Sequence, residues 1–434
     1  MARLPLVVVS LLVVSLVSVL DAATVPGTIV VQEGDIIDGA PVTIINAPFT
    51  NGDGEVGFTG AVDRGGTTDN FVWSNDGVIW FNSDALTVAL TGAEGTMGIG
   101  NGDTYIYSPS VDTEDAVWTH NGVLLVDGDP APDFPGQFNS FNSRPTMLPN
   151  GTAYWVAGVA DTTPGGVSIG RVLYRSADTA TPVIEKVIAF GDMIDGLLVD
   201  DGSGIDFDYN VSDDDSHLIQ VVNVDTGSTS NDGRLLVDGV VVAREDEALT
   251  EGGESWDNFD TLSINNDGNF LFSGDTTGST ATDEFIAYNG AIVIREGDMI
   301  AGVTLTSSAT VNGLSINNLG QAIYIWNTAD SEILFFASDA SDLAGSSTVL
   351  LQVGDELDTD GDGIGEFLVD DFNASGTLGP GLDLAEDNRV FVELDLADIV
   401  EGGTVEAIIE LDMGSIFMDG FESGDTSAWS STVN

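Results

Sequence analysis

NFDTLSINNDGNFLFSGDTTGSTATDEFIAYNGAIVIREGD, residues 258–298, is the stretch on which the reading of this fold turns. Polar and apolar residues alternate from Asn258 to Ile264, Asn265-Asn266-Asp267-Gly268 is a turn, and a second short run spans Asn269 to Gly274. Glu284 to Tyr288 supplies a third run, Asn289-Gly290 is a two-residue hairpin signal, and Ala291 to Arg295 is a fourth run. Period-two alternation turns one face of each run toward a core, and tight Asx-Gly turns join antiparallel neighbours. The stretch therefore predicts a four-stranded antiparallel meander.

Two signatures of this unit recur along the chain. One is an apolar run closing on an aspartate, at Asp35, Asp84, Asp129, Asp192, Asp246, Asp298 and Asp355. The other is a turn leading into a short apolar strand, clearest as Asn51-xx-Gly54-xxx-Phe58, Asn265-xx-Gly268-xxx-Phe272 and Asn317-xx-Gly320-xxx-Tyr324, with weaker copies at Gly95, Gly151, Asp215 and Asn388. Hairpin signals return at Asp76-Gly77, Asn121-Gly122 and Asp238-Gly239. Repeats of about fifty residues with four strands each predict an all-β fold, a seven-bladed β-propeller of antiparallel blades. Val390 to Leu396 and Val405 to Leu411 read as second and third strands without a fourth, and Thr28 to Asp35 reads as a fourth strand without a blade. Joining them closes the ring and removes the exposed edges of a linear array. A β-solenoid or tandem β-sandwiches are the alternative architectures.

The domain reading is a signal peptide over 1–23, a repeat domain over 24–413 and a flexible tail over 414–434. Met1-Ala2-Arg3 precedes an apolar run from Leu4 to Leu20, with cleavage expected near Ala22 or Ala23; an uncleaved signal anchor is the alternative. No later segment is long and apolar enough for a membrane span. Export, as a secreted or cell-surface protein, is the expectation, and the absence of cysteine leaves stability to the core. The chain carries 71 acidic and 10 basic residues for a net charge of -61, and Lys186 is its only lysine. Such a surface repels nucleic acid and anionic membranes and attracts divalent cations. Its self-repulsion is best screened in saline or calcium-rich surroundings, where the Debye length falls to roughly 3–5 Å.

The Asn-xx-Gly turn with its short apolar strand, alternating with a Glu-Gly-Asp strand end, resembles the secreted bacterial tandem-repeat proteins with NxxGxxAF repeats. The likeness spans about residues 27–413, although Gly57, Leu271 and Ile323 stand where that pattern has alanine. Asp419-Gly420-Phe421-Glu422-Ser423-Gly424-Asp425 with Trp429 is similar to a short C-terminal element of assorted exported bacterial proteins. The resemblance implies a propeller, export and an attachment or sorting tail, and it supplies no activity.

The sharpest chemical signal is Asp358-Thr359-Asp360-Gly361-Asp362-Gly363-Ile364-Gly365-Glu366. Carboxylates at loop positions 1, 3 and 5, glycine at 6, the carbonyl of Ile364 at 7 and Glu366 at 9 form a calcium-loop pattern. Val369 replaces the glutamate that an EF-hand has at position 12, so a helix-free loop is expected, with a solvated Asp-Gly connection as the bland alternative. Asp213-Asp214-Asp215 is a weaker cation candidate, read first as a turn. The recurring Asp35, Asp129, Asp192 and Asp298 read as turn residues, because a residue needed in every unit serves the unit. With no cysteine and two isolated histidines, His120 and His217, nucleophilic catalysis has no support. The function expected is a noncatalytic, monomeric binding or structural module that takes divalent cations, with an extracellular polysaccharide or surface protein as partner. A carbohydrate-active hydrolase or lyase with its site in the propeller channel is the alternative.

Overall fold

The computed structural model describes residues 23–413 apart from 52–53, 93–96, 142–144, 163–165, 201–207, 250–252, 307–310, 329–330, 374–380 and 401. The signal-peptide reading, the Gly95 turn and the C-terminal tail lie wholly or almost wholly outside these residues. The residue 258–298 unit folds as its alternation dictates: Leu262–Ile264, Phe270–Asp275, Glu284–Tyr288 and Ala291–Arg295 form one antiparallel sheet in that order. Phe272, Phe285 and Ile286 are fully buried along it. The Asn289-Gly290 turn has φ of 49° and 84°, as a type I′ hairpin requires.

Among the described residues, seven sheets have four or more strands, and two small hairpins stand apart. Neighbouring sheets meet face to face, each pair around one of seven apolar clusters. Leu271, Ile286 and Ile294 pack on Leu314, Tyr324 and Trp326 at one interface, and Ile106 and Val117 pack on Trp155 and Tyr174 at another. The last sheet returns to the first, with Phe391 and Ile408 against Val56 and Phe58. This ring of radially packed antiparallel sheets is a β-propeller.

The closing sheet joins the two ends of the chain. Leu382–Leu384, Arg389–Asp398 and Thr404–Asp412 come from the C-terminal side, and Thr28–Gln32 completes the sheet antiparallel to Thr404–Asp412, with Ile29 opposite Ile409. A slip of one residue would turn the buried Val31 outward, so the apolar pattern fixes this register.

The Asn-xx-Gly signature has a direct physical cause. Gly54, Gly268 and Gly320 have φ of 79°, 74° and 75°, and each donates its N–H to the carbonyl of the asparagine three residues earlier. The asparagine Oδ1 accepts the N–H of the residue four ahead, Glu55, Asn269 or Gln321, at 2.9–3.0 Å. Asp215 and Asn388 adopt the same left-handed conformation at the weaker copies, with φ of 64° and 67°. A side chain at the neighbouring turn position clasps the preceding sheet: Asp214 N–H donates to Asn266 Oδ1, Asn266 N–H to Asn318 Oδ1 and Asn318 N–H to Glu386 Oε1.

Two hairpins sit one residue earlier than expected. Ser74 pairs with Gly77 and Thr119 with Gly122, so the turns are Asn75-Asp76 and His120-Asn121, with each glycine opening the following strand.

Candidate cation loop and central channel

Six turn aspartates build the frame of the site. The carboxylates of Asp35, Asp84, Asp129, Asp192, Asp298 and Asp355 each accept the backbone N–H of the residue three positions earlier, at 2.9–3.0 Å. Asp246 departs from the expected pattern. It has φ of 61° and occupies the place filled by Gly297 in the next sheet, while Glu247 stands where Asp298 does and donates its N–H to the Arg244 carbonyl. Aspartate tolerates the left-handed region better than most residues, and the one-residue offset follows from that.

Beyond the turn, three sheet boundaries carry a short hairpin. Ile36–Ile37 runs into Ala40–Ile45 through Asp38-Gly39, Met193–Ile194 into Leu197–Leu198 through Asp195-Gly196, and Met299–Ile300 into Val303–Thr304 through Ala301-Gly302. All three turns have positive φ at both residues. At the fourth boundary Glu356 faces Leu368 and Leu357 faces Phe367, the same ladder, but residues 358–366 replace the two-residue turn. The Asp-rich stretch is thus an enlarged hairpin loop at a place where two residues suffice elsewhere.

The backbone of this loop wraps its own carboxylates. Asp358, largely buried, accepts Gly361 N–H on Oδ1 at 2.7 Å and Gly363 N–H on Oδ2 at 2.8 Å. Asp360 accepts Asp362 N–H, Asp362 accepts Ile364 N–H, and Glu366 accepts both Thr359 N–H at 2.7 Å and Thr359 Oγ1 at 3.0 Å. Gly361 and Gly363 have φ of 79° and 85°, which lets the chain fold back on itself. One oxygen from each of Asp358, Asp360, Asp362 and Glu366 lies within 4.8 Å of the others. Four all-oxygen donors at that separation suit a hard cation in size and chemistry. Ile364 contributes no side-chain ligand; its side chain is exposed.

The seven innermost strands line a central channel whose narrow cavity encloses about 120 Å³. Glycine is required there: a Cβ on Gly98 would lie 2.2 Å from Met147 N, and one on Gly100 2.4 Å from Leu148 O. Asp213, Asp383 and Glu386 face this space. Asn318 Nδ2 donates to Asp213 Oδ2 at 3.1 Å, while Asp383 takes Thr50 N–H, Thr50 Oγ1 and Ser315 Oγ. Burial, then the nearby Glu386 and Asp383 charges, push the Asp213 carboxyl up to about 6. The other two aspartates of that run point elsewhere, Asp214 to Ser212 and Ser216, and Asp215 to Arg175 and the Tyr154 hydroxyl. The three do not form one site.

A second acidic group was not legible beforehand. Asp260, Asp275 and Glu284 lie within 4.8 Å of one another where the fifth and sixth sheets meet. Glu284 Oε1 accepts Val311 N–H, Asp275 Oδ2 accepts Asn258 Nδ2, and Asp260 Oδ2 is buried without a hydrogen-bond partner. Burial and mutual repulsion push Glu284 up to about 9 and Asp260 to about 7, so Glu284 holds its proton at neutral pH.

His217 pairs with Asp238 at 2.8 Å and His120 contacts Asn121 at a hairpin tip, so neither meets a nucleophile. Trp155 and Trp326 are fully buried, and Trp73, Trp80, Trp118 and Trp256 stack on other rings between strands. They are packing residues. Among the described residues no helix is long and apolar enough to cross a membrane.

No family model matches the sequence, and no curated protein matches it. Solved structures do. A puromycin hydrolase mutant is 12% identical with a TM-score of 0.44, over 83% of this chain and 53% of that one. A prolyl endopeptidase is 10% identical with a TM-score of 0.42, over 85% of this chain and 50% of that one. The Dos1 propeller is 11% identical with a TM-score of 0.39, over 88% and 81%. The chain spans about half the length of the two hydrolases it resembles.

Proposed function

We propose that this chain is an exported, noncatalytic seven-bladed propeller that serves as an extracellular binding or structural module, with calcium held in the 358–366 loop. The observation that carries the reading is the enlarged hairpin. Three equivalent boundaries make the same connection with two residues, so the added segment answers to something besides the turn, and it gathers four carboxylates within 4.8 Å. Carboxylates that close repel one another unless a cation or protons intervene. The ligand set is Asp358, Asp360, Asp362 and Glu366 side chains with the Ile364 carbonyl.

The blade count of seven rests on seven sheets and seven inter-sheet clusters among the described residues. The resemblance to secreted tandem-repeat proteins, together with the expected leader and tail, favours the cell surface or the medium as its place of work. The channel cavity of about 120 Å³ matches a few waters or an ion, at roughly 30 Å³ per water, and falls short of the roughly 300 Å³ that organic ligands start from. That supports a module working through its outer loops over a hydrolase or lyase working in its channel.

Thermal unfolding of the leader-free chain with calcium and with chelator, at fixed ionic strength, tests the calcium claim. Calcium is expected to raise Tm by several degrees where magnesium at equal concentration does not, and Asp360→Ala is expected to abolish the rise. Equal Tm in calcium and chelator would overturn it.

A further inference from the structure

Among the six turn aspartates that accept the amide three residues back, Asp355 is the buried one, at 2% exposure. Its covering segment is the start of the repeat domain. Thr24–Pro26 runs parallel to Glu356–Asp358, the one parallel pairing among the described strands, with Thr24 opposite Glu356 and Val25 opposite Leu357. Val25 is buried in the same apolar cluster as Leu357, and Glu356 N–H donates to the Ala23 carbonyl at 2.8 Å. This strand delivers the main-chain nitrogen of Ala23 to Asp355 Oδ1 at 2.8 Å. Gln352 completes the site, with its N–H on Oδ2 at 3.0 Å and its Nε2 3.4 Å from Oδ1.

A buried carboxylate held by neutral donors alone is costly, and burial raises the Asp355 carboxyl in spite of these hydrogen bonds. No Lys or Arg is paired with it among the described ion pairs. The missing positive charge is one bond away. The apolar run from Leu4 to Leu20 ends at Asp21-Ala22, so hydrolysis of the Ala22–Ala23 amide converts the Ala23 nitrogen into an ammonium while it stays in the same place. Water adds across that bond, the Ala22 carboxylate leaves with the leader, and the new amine takes up a proton.

We infer that proteolytic removal of the leader after Ala22 creates the counter-charge of Asp355, and that the Ala23 ammonium and the buried Asp355 carboxylate form a partly buried ion pair that locks the N-terminal strand onto the closing sheet. The geometry selects the bond. Cleavage after Ala23 would remove the nitrogen that reaches Asp355 and leave the next one a residue further on, about 3.8 Å between Cα atoms. The mature chain is therefore more tightly closed than the precursor, and the segment from Ala23 to Pro26 is an anchored element with its first atom in use.

The full chain, exported by a secreting host, is tested by N-terminal sequencing and intact mass, and its Tm is compared with that of a chain retaining one extra residue ahead of Ala23. Ala23 is expected as the first residue. The extended chain is expected to melt about 2–4 °C lower, and Asp355→Asn is expected to erase that gap. A first residue of Thr24 or later, an uncleaved leader, or equal Tm for the processed and extended chains would overturn the inference. If Asp355→Asn does not fold, acetylating the Ala23 amine of the processed chain replaces it, with the same fall expected and no fall counting against the pair.

Discussion

Asp298 and Asp246 stand at neighbouring strand ends and look alike in sequence, yet one bonds a backbone amide and the other turns the chain. The first role was legible because aspartate, placed after glycine at the end of an apolar run, has few other uses. The second was not, because Asp246 substitutes for glycine in a left-handed conformation and moves the motif by one position, which only the dihedral reveals. Removing an amide acceptor at a half-open turn leaves one N–H to find water. Asp298→Ala is expected to cost about 1 kcal/mol of stability, read from urea unfolding. Gly98→Ala is expected to cost more than about 2 kcal/mol, since its Cβ would meet backbone from the next blade at 2.2 Å. A neutral result there would mean that the inner strands are free to spread.

At the scale of elements, strand alternation and Asx-Gly turns were readable because local chemistry decides them, and the 258–298 meander formed almost as its sequence spelled it. The carboxylate cluster of Asp260, Asp275 and Glu284 was unreadable for the opposite reason: Asp275 and Glu284 lie opposite each other on neighbouring strands, Asp260 lies on the segment leading into Leu262–Ile264, and only the folded sheet brings the three together. The 358–366 loop was visible as a motif, but its significance came from the shorter hairpins at the equivalent boundaries. Those hairpins suggest a replacement. A chain in which 358–366 gives way to Asp-Gly, as at Asp38-Gly39, is expected to fold and to match the parent's Tm in chelator while losing any calcium response. A fold that collapses in chelator after the exchange would show that the loop has a packing role independent of cations.

For the whole molecule, the balance of 71 acidic residues against 10 basic ones makes protons and salt stabilisers. Glu284, pushed up to about 9, Asp260, to about 7, and Asp213, to about 6, each hold a proton more firmly folded than unfolded. Their contribution is full below the unfolded carboxyl values near 4 and is lost as pH rises through the folded ones. Tm is expected to fall steadily from pH 5 to pH 9, and a maximum above pH 8 would contradict it. Sodium chloride is expected to raise Tm at neutral pH by screening self-repulsion, with no preference among monovalent cations.

The closing sheet also sets a clock. Ile29 emerges from the ribosome near the start of synthesis and its partner Ile409 near the end, and at about 5–20 residues per second roughly 20–80 s separate them. Until then Thr28–Gln32 has no neighbour to pair with, and the sheets that form in between present an open arc with two unpaired faces. Contacts that span almost the full chain are the slowest to form, because the loop they close is the longest. Shortening either terminus into the closing sheet is therefore the same lesion seen from two sides: it leaves the arc complete in every blade but one, and waiting.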